Sequence, residues 1–279
     1  MKLANILSYY TMRLLQRTSA VARTLDLPLG AKCYIPNPPG ITKLFITNRG
    51  SEDFMRDPGL KAVLEISQNA ETFWDVGASI GLFSLFARAS NPSLRIVSIE
   101  PSTTTYAELV KNCSLSPNDW VCINTAVGAA EGKTYISRGL AGFNHVVSSE
   151  TDPKIDCEVR PITTLDKLAK LLECRRIDVL KIDVEGMELA VLQGAHELLS
   201  GKRIGAVVLE AEGQGSRYGF SDQDILAFMA QYGYVRNCLL KDELGHAHSE
   251  LFQLWNPEEN DDPVADGCQI TTHVLPRSD

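Results

Sequence analysis

The chain has 279 residues, a formal net charge of −8, and 44% hydrophobic and 22% charged residues. That length suits one large α/β domain with an extension, and the acidic balance argues against nonspecific nucleic-acid binding, which needs clustered Lys and Arg. No apolar run reaches the roughly 18 residues of a membrane helix. The seven cysteines are scattered without CxxC spacing, which favours free thiols in a reducing compartment. We therefore expect a cytoplasmic protein without an integral membrane segment.

The first 69 residues are predicted to form a helical extension and a connector. Residues 1–27 carry apolar side chains at helical spacing with arginines between them, a pattern typical of an amphipathic helix. We favour packing of this helix on the domain, while a homodimer formed through it and contact with a membrane surface stay open. Residues 28–40 contain four prolines and are expected to be irregular. A short strand over 43–47 and a helix over 60–69 complete this part.

A strand, a tight turn and a helix come next, and they are the most informative local pattern in the chain. The strand over residues 72–75 leads through a turn into an apolar-periodic helix, and the residues that mark the turn are Asp75, Gly77, Ser79 and Gly81. Such a turn brings the N–H groups of a helix start close to a ligand. Ser79 stands where a dinucleotide fingerprint has its middle glycine, which disfavours NAD.

The second strand of this pattern ends in an acidic residue. It covers residues 95–99 and is followed by Glu100, nineteen positions after Gly81. An acidic side chain at the tip of the second strand can accept hydrogen bonds from both hydroxyls of a ribose. The two strands together therefore predict a site for a nucleotide-like ligand.

Short apolar runs alternate with helical patterns over residues 70–257, which predicts a mostly parallel sheet with helices on both faces. Strand three covers 120–124. The rhythm then breaks over 126–163, where β-like pieces separated by Gly, Asn and Ser predict a hairpin-rich insertion placed to shape a substrate site. After a helix capped by Thr163 or Thr164, the expected elements are a strand over 177–183, a helix over 188–200, a strand over 204–210, a helix over 222–232 and strands over 235–240 and 249–255. The acidic tail, 258–279, is expected to be loose.

Ionisable residues collect at the ends of strands four and five. Asp183 follows strand four, Lys181 lies two residues back on the same side of the strand, and Glu185 and Gly186 form the next turn. Glu210 ends strand five. Because ligands collect outside the carboxyl ends of parallel strands, we expect these groups to line one cleft. Ion pairing between Lys181 and Asp183 can also be purely architectural.

Several stretches occur in order over about residues 73–212: DVGASIG, SIEPSTTTYAELVKN, NTAVGAAEG, TTLD, DVLKIDVEGMELAVLQGA and VVLEAEG. This ordered set strongly resembles the FkbM family of S-adenosylmethionine-dependent methyltransferases. The resemblance implies a Rossmann-like class I methyltransferase fold, with a seven-stranded, mostly parallel sheet and a reversed last strand. It also implies methyl transfer to an oxygen, commonly a hydroxyl of a sugar or natural product.

The resemblance further implies cofactor contacts, residue by residue. Asp75, Gly77 and Gly81 would hold the methionine part of the cofactor and Glu100 the ribose hydroxyls. The adenine would rest at the end of strand three, on Asn124 or on the adjacent Thr125 and Ala126. The complete set expected to bind the cofactor is Asp75, Gly77, Ala78, Ser79, Gly81, Glu100, Pro101, Asn124, Thr125, Ala126 and Asp183.

The resemblance places Asp183, Lys181 and Glu185 opposite the transferring methyl group. Methyl transfer from a sulfonium is an in-line displacement, and an alcohol acceptor must lose its proton to a base within hydrogen-bond reach. We nominate Asp183 as this base, with Glu185 or Glu210 as the competing choice. Lys181 would steady the carboxylates or the developing alkoxide, and His145 in the insertion is a lesser candidate for the base.

Three alternatives stay open. Asp183, Glu185 and Glu210 could hold a divalent metal, because magnesium prefers oxygen ligands, although nothing in their spacing demands one and none is expected. The chain could instead be a noncatalytic S-adenosylmethionine-binding module. A nicotinamide-dependent oxidoreductase is disfavoured by Ser79 and by the lack of a Tyr-x-x-x-Lys pair after strand four. The acceptor, a small molecule or a glycoside, is not identified by the sequence.

Overall fold

The computed structural model describes residues 23–35, 54–116, 119–138, 144–147, 156–210, 213–241 and 247–254. Several predictions lie outside the described residues, namely the helix over residues 1–22 and the dimer contact through it, the connector over 36–40, the strand over 43–47 and the acidic tail over 258–279.

A hairpin occupies the start of the described chain. Strand β1 (Arg23–Asp26) pairs antiparallel with β2 (Lys32–Ile35) around a 3₁₀ turn at Pro28–Gly30. The helix predicted to reach residue 27 is therefore wrong over residues 23–26, and the connector is a strand in part. The physical reason is the turn: a proline begins it, and the two residues after the proline have φ values of 59° and 74°, which reverse the chain and let the two flanking segments pair.

The main elements follow in chain order, and outside the insertion the predicted bounds agree with the observed ones to within two residues, except for the helix over 188–200. The first part contains α1 (Pro58–Ser67), β3 (Thr72–Val76), α2 (Leu82–Ser90), β4 (Arg95–Ile99), α3 (Thr103–Ser114) and β5 (Trp120–Ile123). The insertion contains β6 (Ala126–Val127), β7 (Gly132–Ser137), β8 (Val146–Val147) and β9 (Cys157–Thr163). The last part contains α4 (Leu165–Leu171), β10 (Ile177–Ile182), α5 (Glu188–Gln193), α6 (His196–Ser200), β11 (Ile204–Glu210), a 3₁₀ helix (Gln214–Tyr218), α7 (Asp222–Gln231), β12 (Tyr234–Lys241) and β13 (Ala247–Leu254).

Seven strands form the central sheet in the order β12-β13-β11-β10-β3-β4-β5. The pairs from β11 to β5 are parallel, whereas β13 runs antiparallel to both β11 and β12. This order and the reversed last strand confirm the predicted Rossmann-like class I methyltransferase fold. Successive strand residues point to opposite faces. Phe73 accordingly belongs to the hydrophobic cluster that includes residues of α1, α2 and α3, and Trp74 to the cluster that includes residues of α4 to α7. Within the described ranges, no helix has the length and apolarity needed to cross a bilayer.

The predicted hairpin-rich insertion is confirmed as a separate four-stranded sheet with the order β6-β9-β7-β8. It returns to the main domain at Thr164, whose side chain accepts a hydrogen bond from the N–H of Lys167 and caps α4, as predicted for one of the two threonines. The insertion therefore begins and ends beside the carboxyl ends of the parallel strands.

The single helix predicted over residues 188–200 is wrong, since α5 and α6 are separate there. Gly194 lies between them, and a Cβ on Gly194 would meet the carbonyl oxygen of Gly128 at 2.1 Å. The backbone of the insertion at Gly128 thus approaches the helical segment closely at Gly194. The sequence pattern of residues 188–200 alone cannot predict a contact with so distant a part of the chain.

Candidate functional site

A cavity lies at the carboxyl ends of β3, β4 and β10, where the insertion adjoins the sheet. Its empty volume is about 970 Å³, including the open mouth. The turn after β3, the tip of β4 and the turn after β10 form its walls, and the insertion contributes Ile136, Asn144, His145 and Val146. The cavity therefore occupies the place at which parallel α/β sheets bind ligands.

The turn after β3 brings bare backbone to the cavity wall. Gly77 has a φ of 74°, and a Cβ there would lie 1.7 Å from the carbonyl oxygen of Asp183. The N–H groups of Gly77 and Ala78 both donate to the carbonyl of Ile99 at 3.0 Å. The turn is thus wedged between β4 and β10, and only glycine fits at its first position.

Glu100 lies at the tip of β4 and lines the cavity, as predicted. It is 7% exposed, and its carboxylate accepts hydrogen bonds from the N–H of Ser79 at 3.0 Å and of Ser102 at 2.8 Å. Burial raises the pKa of Glu100 to about 7, although the two N–H groups and Lys181 oppose that rise. The tip of β4 therefore presents a fixed, buried carboxylate to the cavity.

These features fit the nucleoside end of S-adenosylmethionine. Glu100 offers acceptor oxygens for a ribose diol, and the glycine turn admits a ligand to the backbone. The hydroxyl of Ser79, another wall residue with a φ of 52°, is buried and has no hydrogen-bond partner among the described residues. An unused buried hydroxyl beside a cavity is typical of a site that a polar ligand completes.

Of the three adenine contacts predicted at the end of β5, two lie on the cavity wall and one does not. Thr125 and Ala126 line the cavity together with Pro101, whereas Asn124 does not. The Asn124 amide donates to the carbonyls of Glu100 at 2.8 Å and of Pro101 at 3.1 Å, and its oxygen accepts from Arg160. Asn124 therefore braces the chain after β4 and is not a wall residue.

Asp75 and Gly81 are the other two predicted cofactor residues that the structure does not bring to the wall. Asp75 is fully buried. Gly81 begins α2 with a φ of 85°, and a Cβ on it would meet the Leu109 side chain at 2.6 Å. Both residues support the turn from behind.

A row of polar side chains crosses the sheet behind the cavity. The strand register sets Lys181 beside Asp75 and Asp75 beside Ser98. The Trp120 indole N–H donates to Ser98 Oγ at 2.8 Å, and Ser84 donates to Asp75 Oδ2 at 2.7 Å. Because the only hydroxyl hydrogen of Ser84 goes to Asp75, the 2.7 Å bond between the two serines must be donated by Ser98. All donors in this row thus point toward the Asp75 carboxylate.

Lys181 joins this buried row to the cavity. Its Nζ lies 2.9 Å from Asp183 Oδ2 and 3.2 Å from the Gly77 carbonyl oxygen. It also forms an ion pair with Asp75 Oδ1 at 3.4 Å, but the geometry of this contact does not meet the criteria for a hydrogen bond. Burial alone would lower the pKa of Lys181, but the carboxylates of Asp183 and Asp75 raise it above its ordinary value. Lys181 is therefore a permanent cation held between two carboxylates.

Asp183 lines the cavity as an ionised carboxylate. Burial would raise its pKa, but the charge of Lys181 and a hydrogen bond with Glu210 hold the pKa of Asp183 below its ordinary value. Glu210 ends β11 as predicted and lies next to Asp183, although it is not part of the wall. The predicted grouping of Asp183, Lys181 and Glu210 is thus present.

Glu185 is the third carboxylate on the wall, after Glu100 and Asp183, and lies in the turn between β10 and α5. Burial and the neighbouring Asp183 raise the pKa of Glu185 to about 7, against the lowering effects of a Gln214 hydrogen bond and of Arg217. The two carboxylates that follow β10 therefore have opposite tendencies: Asp183 stays ionised, and Glu185 exchanges a proton near neutral pH.

Sequence reasoning missed several apolar wall residues. Phe83, one residue into α2, lies on the wall with its ring 4.8 Å from Lys181 Nζ. Phe54 packs edge-on against Phe83 at 5.7 Å and also lines the cavity. The helical periodicity that contains Phe83 was visible but does not say which side faces a ligand. Phe54 lies before α1, and no local pattern connects it with the site.

The lesser candidate His145 is also on the cavity wall, within the short segment that carries β8. Among the described residues, no three or more His, Cys, Asp or Glu side chains are arranged to hold a metal ion.

Several known methyltransferases are similar to this chain. A solved O-methyltransferase from Bacillus cereus in complex with SAH has 12% identity and a TM-score of 0.42, covering 71% of this chain and 80% of that one. The hexuronic acid methyltransferase AglP of Haloferax volcanii is 26% identical over 153 residues, 54% of this chain and 59% of that protein. The methyltransferase sdnD of Sordaria araneosa is 29% identical over 157 residues, 44% of this chain and 60% of that protein.

The match to these two relatives spans less than two thirds of the length of either one. A family model described as the methyltransferase FkbM domain matches residues 75–236, more than half of the chain. That range begins in β3 and includes the cavity turns and the acidic strand ends. The chain therefore belongs to the FkbM family of S-adenosylmethionine-dependent methyltransferases.

Proposed function

We propose that this protein is an O-methyltransferase that methylates a hydroxyl group of a sugar or natural-product acceptor. The observation that carries the proposal is the pair of carboxylates on the cavity wall, Asp183 and Glu185. S-adenosylmethionine supplies an activated methyl group, so the protein needs to align an acceptor oxygen and remove its proton. An amine that is already neutral, or a carbon nucleophile, would have a different requirement.

Glu185 is the base in this proposal. An effective general base has a pKa near the operating pH, and the pKa of Glu185, raised to about 7, meets that condition. As the new bond forms between the acceptor oxygen and the methyl carbon, the bond between that carbon and sulfur breaks and the hydroxyl proton passes to the Glu185 carboxylate. The earlier nomination of Asp183 gives way because its lowered pKa makes it the weaker base.

Asp183 orients the acceptor in the same proposal. Its carboxylate is held by Lys181 at 2.9 Å, and an ionised carboxylate accepts hydrogen bonds without taking the proton. Lys181 steadies Asp183 from the buried side and is too firmly protonated to act as a base. An acceptor with two neighbouring hydroxyls, as in a sugar, could bond to both Asp183 and Glu185.

The acceptor class is supported from two sides. AglP, a relative matched over about half of this chain, is named a hexuronic acid methyltransferase, which supports a sugar acceptor. The acceptor end of the cavity also mixes polar and apolar groups, since Asn144 and His145 stand beside Ile136 and Val146. Such a mixture suits the hydroxyls and the C–H face of a sugar ring or a hydroxylated natural product.

The test is a methyl-transfer assay with tritiated S-adenosylmethionine and a panel of hexuronates, neutral glycosides and hydroxylated natural products. At saturating S-adenosylmethionine, kcat/KM for an accepted substrate should rise with pH and level off above about pH 7, because only ionised Glu185 can take the proton. Below that pH it should fall about tenfold per unit. Glu185→Gln should lower kcat by on the order of 100-fold or more while leaving the affinity for S-adenosylhomocysteine within about threefold.

Three outcomes would contradict the proposal. Transfer only to nitrogen or carbon acceptors would exclude an O-methyltransferase, and a pH-independent rate would exclude Glu185 as the base. Binding of S-adenosylhomocysteine without transfer to any acceptor in the panel would favour the noncatalytic module. Loss of transfer in EDTA, restored by magnesium, would reassign Asp183 and Glu185 as metal ligands.

A further inference from the structure

The turn that carries Glu185 has an unusual backbone. Glu185 has a φ of 57°, and Gly186, the next residue, has a φ of 107°. A residue with a Cβ avoids the left-handed region because the Cβ crowds the carbonyl. Something in the surroundings must therefore hold Glu185 in this conformation.

Glu188 supplies that hold. One oxygen of its carboxylate, Oε1, accepts hydrogen bonds from the N–H of Gly186 at 2.9 Å and of Val184 at 3.3 Å. These are the residues on either side of Glu185. The Glu188 side chain is 5% exposed, so the two bonds are shielded from water. The carboxylate thus clamps both ends of the peptide segment that presents Glu185 to the cavity.

The opposite side of the turn is closed by packing. A Cβ on Gly186 would meet the Gln214 carbonyl oxygen at 2.7 Å and the Tyr218 ring at 2.9 Å. The turn therefore lies between the 3₁₀ helix on one side and the Glu188 carboxylate on the other, and it cannot relax toward the 3₁₀ helix if Glu188 lets go.

Glu188 also acts on Glu185 through its charge. Besides burial and Asp183, the nearby Glu188 carboxylate contributes to the raised pKa of Glu185. Burial raises the pKa of Glu188 itself, against the lowering effect of the turn N–H groups. The protonation state of Glu188 therefore affects the pKa of Glu185.

We propose that Glu188 is a positioning residue for the reaction: it holds Glu185 at the acceptor oxygen by clamping the N–H groups of Val184 and Gly186, without touching substrate or cofactor. The assignment rests on the proposed function for its catalytic consequence, because it presumes that Glu185 takes the acceptor proton. The clamp itself is a property of the chain and can be measured without any substrate.

The experiment compares Glu188→Gln with Glu188→Ala. The glutamine keeps an Oε1 that can accept both hydrogen bonds and removes the charge, whereas alanine removes both. Glu188→Gln should retain kcat at pH 8 within about threefold, with the acid limb of the pH profile moved to lower pH because a neighbouring negative charge is gone. Glu188→Ala should lower kcat by about tenfold to 100-fold, as expected for a displaced catalytic group, with the KM for S-adenosylmethionine within about twofold.

Two measurements on the cofactor-free protein test the clamp separately from catalysis. Amide hydrogen exchange at Gly186 should be faster in Glu188→Ala than in the wild type and Glu188→Gln. Carboxyl carbon NMR, with the Glu185 signal assigned through Glu185→Gln, should show a lower pKa for Glu185 in Glu188→Gln. Glu197→Gln is the matched control, because Glu197 also lies in the first turn of a helix, α6, but is half exposed and pairs with Lys170. It should leave all these readouts unchanged.

The outcomes separate the two proposals. If Gly186 exchange and the Glu185 pKa respond as described but no acceptor is methylated, the clamp stands and the proposed function fails. Unchanged Gly186 exchange in a folded Glu188→Ala protein would overturn the clamp. Equal loss of kcat in Glu188→Gln and Glu188→Ala, with Gly186 exchange preserved in the former, would also overturn the assignment, because charge and not positioning would then be required.

Discussion

The two ends of the cavity are built in different ways. At the end proposed to hold the cofactor, the wall combines the backbone of the turn after β3, which is held by hydrogen bonds to β4, with the Glu100 carboxylate, and a buried polar row that includes Asp75 lies behind it. At the end proposed to hold the acceptor, the wall is made of side chains on short segments, including Glu185, His145 and Val146. At Gly77 the first end has no room for even one additional side-chain atom, so its shape is fixed there by the backbone. The second can change its chemistry by exchanging side chains, so we expect it to determine the acceptor.

The largest effect is expected at Gly77, which gives the strongest test of the difference between the two ends of the cavity. Gly77→Ala places a Cβ 1.7 Å from the Asp183 carbonyl oxygen. Because the Cβ is fixed to the turn after β3 and the oxygen belongs to the backbone after β10, β3 and β10 must move apart. We expect a loss of about 3 kcal/mol in the free energy of unfolding, measured by urea denaturation, and a loss of S-adenosylhomocysteine binding in calorimetry.

Gly30→Ala is the matched control for Gly77→Ala. Both glycines have a φ of 74°, but nothing lies within 4 Å of a Cβ on Gly30. The control should lose only the cost of a left-handed alanine, about 1 kcal/mol, and should bind S-adenosylhomocysteine normally. Similar losses of stability and of S-adenosylhomocysteine binding in the two variants would mean that the close backbone approach at Gly77 does not shape the cofactor end.

The second prediction concerns the buried row. Lys181→Met leaves the carboxylates of Asp75 and Asp183 without the cation between them. Removing one partner of a buried ion pair costs about 3–5 kcal/mol, so we expect a loss of that size in urea denaturation at pH 7. The double variant Asp75→Asn/Lys181→Met should regain part of the loss, because the fully buried charge is removed with its partner.

Asp75→Asn alone decides between the two roles considered for Asp75. The resemblance implies contact with the methionine part of the cofactor, in which case the affinity for S-adenosylhomocysteine should fall tenfold or more. The structure places Asp75 behind Lys181 and off the cavity wall. We therefore expect stability to fall while the dissociation constant stays within about threefold.

Local patterns predicted where the glycine turn and Glu100 lie, at the carboxyl ends of β3 and β4, from short strands, a fixed spacing and the rules for parallel sheets. The seven strands and the reversed last strand were implied by the family resemblance. The burial of Asp75 could not be predicted in this way, because it depends on pairing with Lys181, 106 positions later in the chain. For the same reason the sequence could not show that Asn124 would be held by Arg160, or that Phe54 would reach the wall.

For the acceptor end, the sequence predicted Glu185, the lesser candidate His145 and an insertion near the strand ends, but not their arrangement. Its geometry depends on contacts between segments that carry no recognisable pattern, such as the bond between the Tyr218 hydroxyl and the Val146 carbonyl at 2.8 Å. The same holds for the left-handed backbone of Glu185, which is stabilised by Glu188 and not by a glycine at that position. Contacts of this kind join residues that are distant in sequence or lack a recognisable motif, so only the folded structure reveals them.

The smallest effect is expected at that Tyr218 contact, which joins the 3₁₀ helix to β8 at the acceptor end. Tyr218→Phe removes one hydrogen bond, which contributes about 1 kcal/mol, so the stability loss should be no larger. Because Val146 and the neighbouring His145 line the cavity, the KM for the acceptor should rise a fewfold while the affinity for S-adenosylhomocysteine stays unchanged. Tyr232→Phe is the control, since its hydroxyl pairs with His196 Nδ1 at 2.7 Å and does not line the cavity. An equal rise in the acceptor KM in both variants would show that the Tyr218 contact does not shape the acceptor end, and a change in cofactor affinity in Tyr218→Phe would show that the two ends of the cavity are not independent.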